Sequence, residues 1–335
     1  MPTISDVAAA AGVSMTSVSR VLNNKAHVRP ALRERVLKAV SSLSYRPDIA
    51  ARQLAGTKSF VLTLLIPEYN ASYYATLVVA AAAECRKQNY HLLSGTIEPG
   101  EPVKEALERA TAGVRPDGII LPPPLGDDPE LVSTIAAAEI PLVRLSSLSD
   151  GYGSLINAPE FEASMDLMRH LLQLGHRRIG FIAPPAGHSA ASARLSAYEQ
   201  ALKEANLPLD PSLIEAGNFT FASGALAARR LLACSAPPTA IFASNDATAL
   251  GVLAIAAEQK LRVPQDLAIA GFDDSPGSRM CYPALTTVRQ PIADMARAAV
   301  LTLLGKDAGE RPEHRLILRG STTGHDMLVL DTVDA

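Results

Sequence analysis

The stretch Thr3-Ile4-Ser5-Asp6-Val7-Ala8-Ala9-Ala10-Ala11-Gly12-Val13-Ser14-Met15-Thr16-Ser17-Val18-Ser19-Arg20-Val21-Leu22 encodes two short helices and the turn between them. The Thr3 hydroxyl can cap the first helix, and Asp6, three residues on, can reach back to it; this is the spacing of a capping box. The helix is expected to run to about Ala11, burying Val7, Ala8 and Ala11. Gly12 stops it, because glycine takes the positive φ of a tight turn at little cost. Ser14 caps a second helix, from Met15 to about Leu22, whose apolar residues are Val18, Val21 and Leu22. Two short helices joined through a glycine turn form a helix-turn-helix. A third helix follows from Pro30, a good first helical residue. Its Leu32, Val36, Ala39, Val40 and Leu43 recur at helical spacing and cover the other two.

Such a bundle could be inert, but the polar surface of the second helix argues otherwise. Met15, Thr16, Ser17, Ser19 and Arg20 combine short donors and acceptors, able to reach base edges, with one long cation. Charge points the same way. The whole chain of 335 residues carries a formal net charge of −3. Residues 1–58 alone hold nine Lys and Arg against three acids, giving +6 and leaving −9 for the rest. A basic head on an acidic body suits phosphate contact at one end only.

Several other classes lose support. No apolar run reaches the length of a membrane span. The opening Met1-Pro2-Thr3-Ile4-Ser5-Asp6 has no basic region followed by an apolar one, so a cytoplasmic, nucleoid-associated protein with no membrane partner is expected. Cys85, Cys234 and Cys281 are far apart without metal-ligand spacing, and the seven histidines form no helical pair, so neither metal nor cofactor is expected. No nucleophile elbow, phosphate-binding Walker loop or dinucleotide fingerprint is present, and His188 beside Ser189 is a local coincidence, so no enzyme is expected.

The motifs Ile4-Ser5-Asp6-Val7-Ala8, Ala11-Gly12-Val13-Ser14 and Val18-Ser19-Arg20-Val21-Leu22-Asn23 closely resemble the head of the lac repressor family. Tyr45-Arg46-Pro47 and Ala50-Ala51-Arg52-Gln53-Leu54-Ala55-Gly56 resemble its hinge. The resemblance implies a sequence-specific transcription regulator. It implies that Met15, Thr16 and Arg20 read bases, while Ser14, Ser19, Asn23 and His27 lie near the DNA backbone. Ile4, Arg29, Tyr45, Ala51 and Arg52 are further expected contacts. Arg29 departs from the family, which usually has a small capping hydroxyl there. In the hinge, Asp48 can cap and Gly56 can terminate a helix of about seven residues, too short to be stable alone. It should form when two copies pair on DNA. The resemblance implies that Leu54 wedges into the minor groove at the operator centre.

After Lys58 strands and helices alternate. Strands are expected at Phe60–Ile66, His91–Thr96, Gly118–Leu121 and Pro141–Leu145, and again at Ile179–Ala183, Ala240–Ala243 and Leu267–Phe272. Helices are expected at Leu77–Lys87 and Glu101–Ala112. Buried parallel strands separated by helices make α/β layers, with a ligand at the carboxyl ends of the strands. Leu174-Gly175-His176-Arg177-Arg178-Ile179, Ser244-Asn245-Asp246, Val263-Pro264, Gly271-Phe272-Asp273-Asp274 and Leu285-Thr286-Thr287-Val288 extend the family resemblance over nearly the whole chain. The implied fold is a small all-α helix-turn-helix head on a periplasmic-binding-protein-like α/β sensor of two subdomains with three crossovers. The expected boundaries are 1–46 for the head, 47–58 for the hinge helix and 59–335 for the effector-binding and dimerisation domain. Within the last, the amino subdomain takes about 60–157 and 287–311, and the carboxyl subdomain about 158–286 and 312–324.

Effector residues follow from the resemblance position by position. Arg194 matches an arginine that grips sugar hydroxyls, Asn245, Asp273 and Gln290 match polar cleft residues, and Phe219 matches a cleft aromatic. Tyr73 sits on the loop after the first strand, on the opposite wall. This set suits a polyol: arginine donates a fork, aspartate accepts from hydroxyls, and an aromatic covers an apolar sugar face. Ala71-Ser72-Tyr73-Tyr74 and Pro159-Glu160 depart from the family's usual residues, and Glu160 or Glu162 supplies the missing carboxylate. The expected protein is a homodimer on a near-palindromic operator of double-stranded DNA, released by a small carbohydrate-type inducer. The alternatives are a corepressor-dependent repressor sensing a nucleobase, nucleoside or sugar phosphate, and a free sugar carrier, against which the attached head counts.

Overall fold

The computed structural model describes residues 2–22, 28–43, 58–67, 71–98, 100–185 and 187–324. The chain divides into two compact units, Met1–Phe60 and Val61–Ala335. The expected hinge helix, its Leu54 wedge, and the DNA-contact candidates Asn23, His27, Tyr45, Ala51 and Arg52 lie outside the described residues.

The head has helices α1 (Ile4–Ala11), α2 (Met15–Leu22) and α3 (Pro30–Ser42). The capping box is present in both directions: Thr3 Oγ1 accepts from the Asp6 amide and the Asp6 carboxylate accepts from the Thr3 amide, at 3.3 and 2.7 Å. These bonds hold the Asp6 carboxyl below its ordinary range. Gly12 takes a left-handed φ of 61° and its amide closes the helix on Ala8 and Ala9. The Ser14 hydroxyl accepts from the Ser17 amide at 3.2 Å, capping α2. Val7, Ala8, Ala11, Val18, Val21, Val36 and Ala39 form the core beneath.

The second unit holds two parallel sheets. The first has strands β1 (Val61–Pro67), β2 (His91–Ile97), β3 (Gly118–Leu121), β4 (Leu142–Leu145) and β5 (Ser154–Ile156), in the order β2-β1-β3-β4-β5. Helices α4 (Ala71–Lys87), α5 (Val103–Ala110) and α6 (Pro129–Ala137) connect them. The second sheet has β6 (Ile179–Ala183), β7 (Ile214–Ala216), β8 (Ala240–Ala243) and β9 (Ala268–Ala270), in the order β7-β6-β8-β9. Its helices are α7 (Glu160–Gln173), α8 (Ser189–Glu204), α9 (Phe221–Leu232), α10 (Asp246–Glu258) and the short α11 (Pro276–Met280). In each sheet the strand order reverses beside the first strand, which opens a crevice at the carboxyl ends.

The last elements interleave the halves. β10 (Thr287–Arg289) pairs antiparallel with β11 (Arg315–Ile317), and single bridges Ala270↔Thr286 and Asp273↔Arg289 join it to the second sheet. Between them α12 (Ile292–Leu303) returns to the first half, against α4, β3 and β4. The chain comes back through β11 to α13 (Gly320–Thr323), which packs on β9. The second passage between halves therefore follows Arg289, just beyond the expected Thr287. A further correction concerns Tyr73, expected on a loop. It lies in the first turns of α4, which begins at Ala71 rather than Leu77. Tertiary contact stabilises this early start: Tyr73 and Tyr74 are both buried, and the Tyr74 hydroxyl donates to the Pro123 carbonyl at 2.6 Å.

Candidate functional site

In the head, Met15, Thr16 and Arg20 are exposed on α2, and Ser19 is half-buried. Spacings of four place Ser19 over Met15 and Arg20 over Thr16, so these side chains share one helical face. Arg29 precedes α3, exposed, and makes no side-chain cap. Ile4 packs against the helical core and Ser14 is engaged in capping, so both have structural work beside any contact with DNA.

In the sensor, the candidate residues sit on the segments that follow successive strands. Tyr73 follows β1, Pro123 follows β3, Ser146 follows β4 and Glu160 follows β5. His188 follows β6, Phe219 follows β7, Asp273 follows β9 and Gln290 follows β10. All of these, with Tyr74 and Arg194, line one inner cavity of about 20 Å³. Two parallel sheets that present their carboxyl ends to each other deliver this convergence from residues far apart in sequence.

Arg194 is the centre of the site. It is 2% exposed, and its Nε and Nη2 donate to the two Glu160 carboxylate oxygens at 3.1 Å each. Its Nη1 donates to the Ser244 carbonyl, and the guanidinium lies 3.7 Å above the centroid of the Phe272 ring. The fork geometry and the aromatic face together satisfy a charge that would be costly to bury alone. The opposite wall is Tyr73, whose hydroxyl is pushed well above its ordinary range by burial and then by the Glu160 charge. Asp273 accepts from Gln290 Nε2 at 2.6 Å. Its carboxyl is held well above the usual carboxylate range, by burial first and the neighbouring Asp246 second.

Three of the lining residues have left-handed backbone: Ser146 at φ 48°, Phe219 at 63° and Asp273 at 121°. Non-glycine residues in this region cost about 1–3 kcal/mol each and gather at ligand clamps. Asn245 explains one of them. Its Nδ2 donates to the Phe219 carbonyl at 3.1 Å while its Oδ1 accepts from the Thr248 amide at 2.9 Å, capping α10. Expected as a cleft residue, Asn245 instead fixes the ring that faces the cleft. Of the two carboxylates left open by the sequence, Glu160 is the one in the cavity; Glu162 is exposed and outside it.

Two histidines were missed. His188 lines the cavity with its ring edge-on to Phe219, centroids 5.0 Å apart, and its Nδ1 is buried without a hydrogen bond. His314 is buried against Phe272, 4.0 Å from Glu160 and beyond hydrogen-bond reach, with neither ring nitrogen bonded. Burial pushes both down to about 4. An unfolded histidine titrates near 6.5, so above that pH both states are neutral. As pH falls toward 4 the unfolded chain takes up protons that the folded rings refuse, and stability should drop by about 2–5 kcal/mol for the pair. Urea melts at about pH 7 and about pH 4.5 check this. His314→Phe should lose clearly less on acidification; an unchanged loss would show that the ring already carries a proton.

The comparisons with known proteins agree with this geometry. Residues 3–48 match the model of bacterial regulatory proteins of the lacI family, and residues 168–322 match that of periplasmic binding protein-like domains. The chain is 34% identical over 323 residues to the HTH-type transcriptional repressor PurR of Haemophilus influenzae (strain PittEE), covering 94% of this chain and 95% of that one. The chain belongs to the lacI family of bacterial regulatory proteins. Another relative, the HTH-type transcriptional regulator CelR of Thermobifida fusca, is 33% identical over 326 residues, 95% of each chain. Among solved structures, the lac repressor dimer bound to operator and the anti-inducer ONPF superposes with a TM-score of 0.76 at 27% identity, covering 96% of this chain and 99% of that one. A CelR–cellobiose complex superposes at 0.70 and 30% identity, covering 96% and 100%. This lacI-family chain thus combines a DNA-binding head with a ligand-sensing body. Among the described residues no helix is long and apolar enough to cross a membrane.

Proposed function

We propose that this family member is a homodimeric repressor on a near-palindromic operator, released when a small carbohydrate-type inducer enters the sensor cleft. The reading is of a binding protein acting on cytoplasmic DNA rather than a catalyst. The observation that supports it best is the chemistry of the inner cavity. Acceptors and donors from Glu160, Asp273, Gln290, His188 and Tyr73 face one another beside the Phe219 ring. Its one cation, Arg194, is neutralised by Glu160. Such a lining favours an uncharged, hydroxyl-bearing group with one apolar face. At about 20 Å³ the cavity has room for about one water, so a sugar ring enters only if the two walls separate. Binding is then tied to the shape of the sensor, which is what a differential effect on operator affinity requires.

A thermal-shift screen of the full-length protein against neutral sugars, polyols and nucleosides, followed by operator titrations, tests this. A sugar should raise the melting temperature and weaken operator binding, and log affinity should fall steeply with log salt as the basic head loses phosphate contacts. Operator binding strengthened by the ligand would make it a corepressor instead. Stabilisation by nucleosides and by no sugar would overturn the carbohydrate reading.

A further inference from the structure

An open groove of about 670 Å³ runs beside the inner cavity. Tyr73, Asp273 and Gln290 line both spaces, so the hydrogen-bonded Asp273–Gln290 pair and Tyr73 form the wall between them. Residues 290–294 and 310–313, from two of the passages between the halves, also border the groove. When the walls part to admit a ligand, cavity and groove become one continuous space, longer than a single sugar unit needs.

The far side of that wall has the opposite electrostatic character from the inner cavity. The Asp274 carboxylate, only 1% exposed, serves three guanidiniums: Arg289 Nε and Arg319 Nη2 at 2.6 Å and Arg279 Nε at 3.8 Å. One carboxylate cannot neutralise three cations. Arg279 and Arg289 both line the groove, with side chains 49% and 41% exposed. Arg315, also exposed in the groove, is the direct register partner of Arg289 across β10 and β11. Like charges directly opposed on an antiparallel ladder destabilise it, and an anion between them removes that cost. Burial keeps the Asp273 carboxyl toward its neutral form, so it does not offset the arginines. Asp294 is engaged by Arg297 at 3.6 Å. Glu310 and Glu313 also line the groove, but both are exposed, where water and salt screen them.

We propose that the effector is a carbohydrate with an anionic group at one end, its uncharged hydroxyl-bearing end in the inner cavity and its carboxylate or phosphate in the groove on Arg279, Arg289 and Arg315. This rests on the carbohydrate reading of the inner cavity and adds the charge and the length of the ligand. Guanidiniums bind carboxylate and phosphate oxygens through charge-assisted, forked hydrogen bonds, which gives direction as well as attraction.

Matched pairs of probes test it on the full-length protein by calorimetry at low salt: lactobionate against lactitol, galacturonate against galactose, and glucose 6-phosphate against glucose. In at least one pair the acid should bind about tenfold more tightly than its neutral partner, and added salt should narrow the gap. Arg315→Gln should remove most of that gap while leaving the ligand-free melting temperature and the neutral partner's affinity as they were. The carboxylate and phosphate pairs distinguish the two sources of charge. Neutral partners binding as well as their acids would overturn the proposal, as would an acid preference that survives in both Arg315→Gln and Arg279→Gln. A panel in which no carbohydrate of either kind binds would instead overturn the carbohydrate reading beneath it.

Discussion

Arg194→Ala is expected to lose about 3–5 kcal/mol of folding stability, far more than an exposed arginine would, because it strands a buried charge. Glu160 is 9% exposed and takes both its hydrogen bonds in the cavity from Arg194. The Ser244 carbonyl and the Phe272 face lose their partner in the same substitution. Removing both charges should be milder, since a buried pair replaced by apolar groups of similar volume is often near neutral. Urea melts of Arg194→Ala, and of Arg194→Met combined with Glu160→Leu, give the comparison. Equal losses in the two would show that packing, not the stranded carboxylate, carries the cost. Both variants should be deaf to the effector. In a folded variant, operator binding that survives without any ligand response marks an inducer, and operator binding that is lost marks a corepressor.

Gly224→Ala should be comparably damaging although it adds one methyl. A Cβ there would lie 2.1 Å from the Thr248 carbonyl oxygen, and one at Gly251 would lie 2.2 Å from the Phe221 carbonyl oxygen. The obstructing atoms are backbone, so α9 and α10 must move apart rather than a side chain turn aside. Overpacking of this kind costs about 1–3 kcal/mol and sometimes more. The damage should also reach the ligand site. Asn245 at the start of α10 holds the Phe219 carbonyl, one residue ahead of the Thr220 cap of α9. Separating the helices loosens that tie, so effector affinity should fall along with the denaturation midpoint. A variant with wild-type stability would mean that the helices have room to shift.

The parts legible in the sequence are those governed by local rules. Thr3, Asp6, Gly12 and Ser14 each act within four residues, and the structure places each in its expected turn or cap. Strands Gly118–Leu121, Ile179–Ala183 and Ala240–Ala243 read directly because a strand covered on both faces is a continuous apolar run. The three-residue strands β5, β7, β10 and β11 carry no such pattern; pairing partners distant in sequence create them. In the cleft, Glu160 and Glu162 looked equivalent as residue types. Two residues along a helix turn the chain by about 200°, so one of them faces in and the other out, and only the packing of α7 decides which. His314 had no local signal at all, because its burial arises from the chain's third passage between the halves.

That triple passage sets the order in which the sensor can be completed during synthesis. The first half waits for α12 to cover β3 and β4, and the second waits for β11 and α13 to finish beside β10 and β9. A chain that has emerged from the ribosome only as far as residue 290 has all nine strands of the two parallel sheets, yet neither half has its full set of elements. The nascent sensor therefore exposes apolar sheet and helix surface until its last segment is released. Chains of this size are open to aggregation in such an interval. Completion is a single late event that finishes both walls of the cleft together, so an incomplete chain has no cleft with which to answer a ligand.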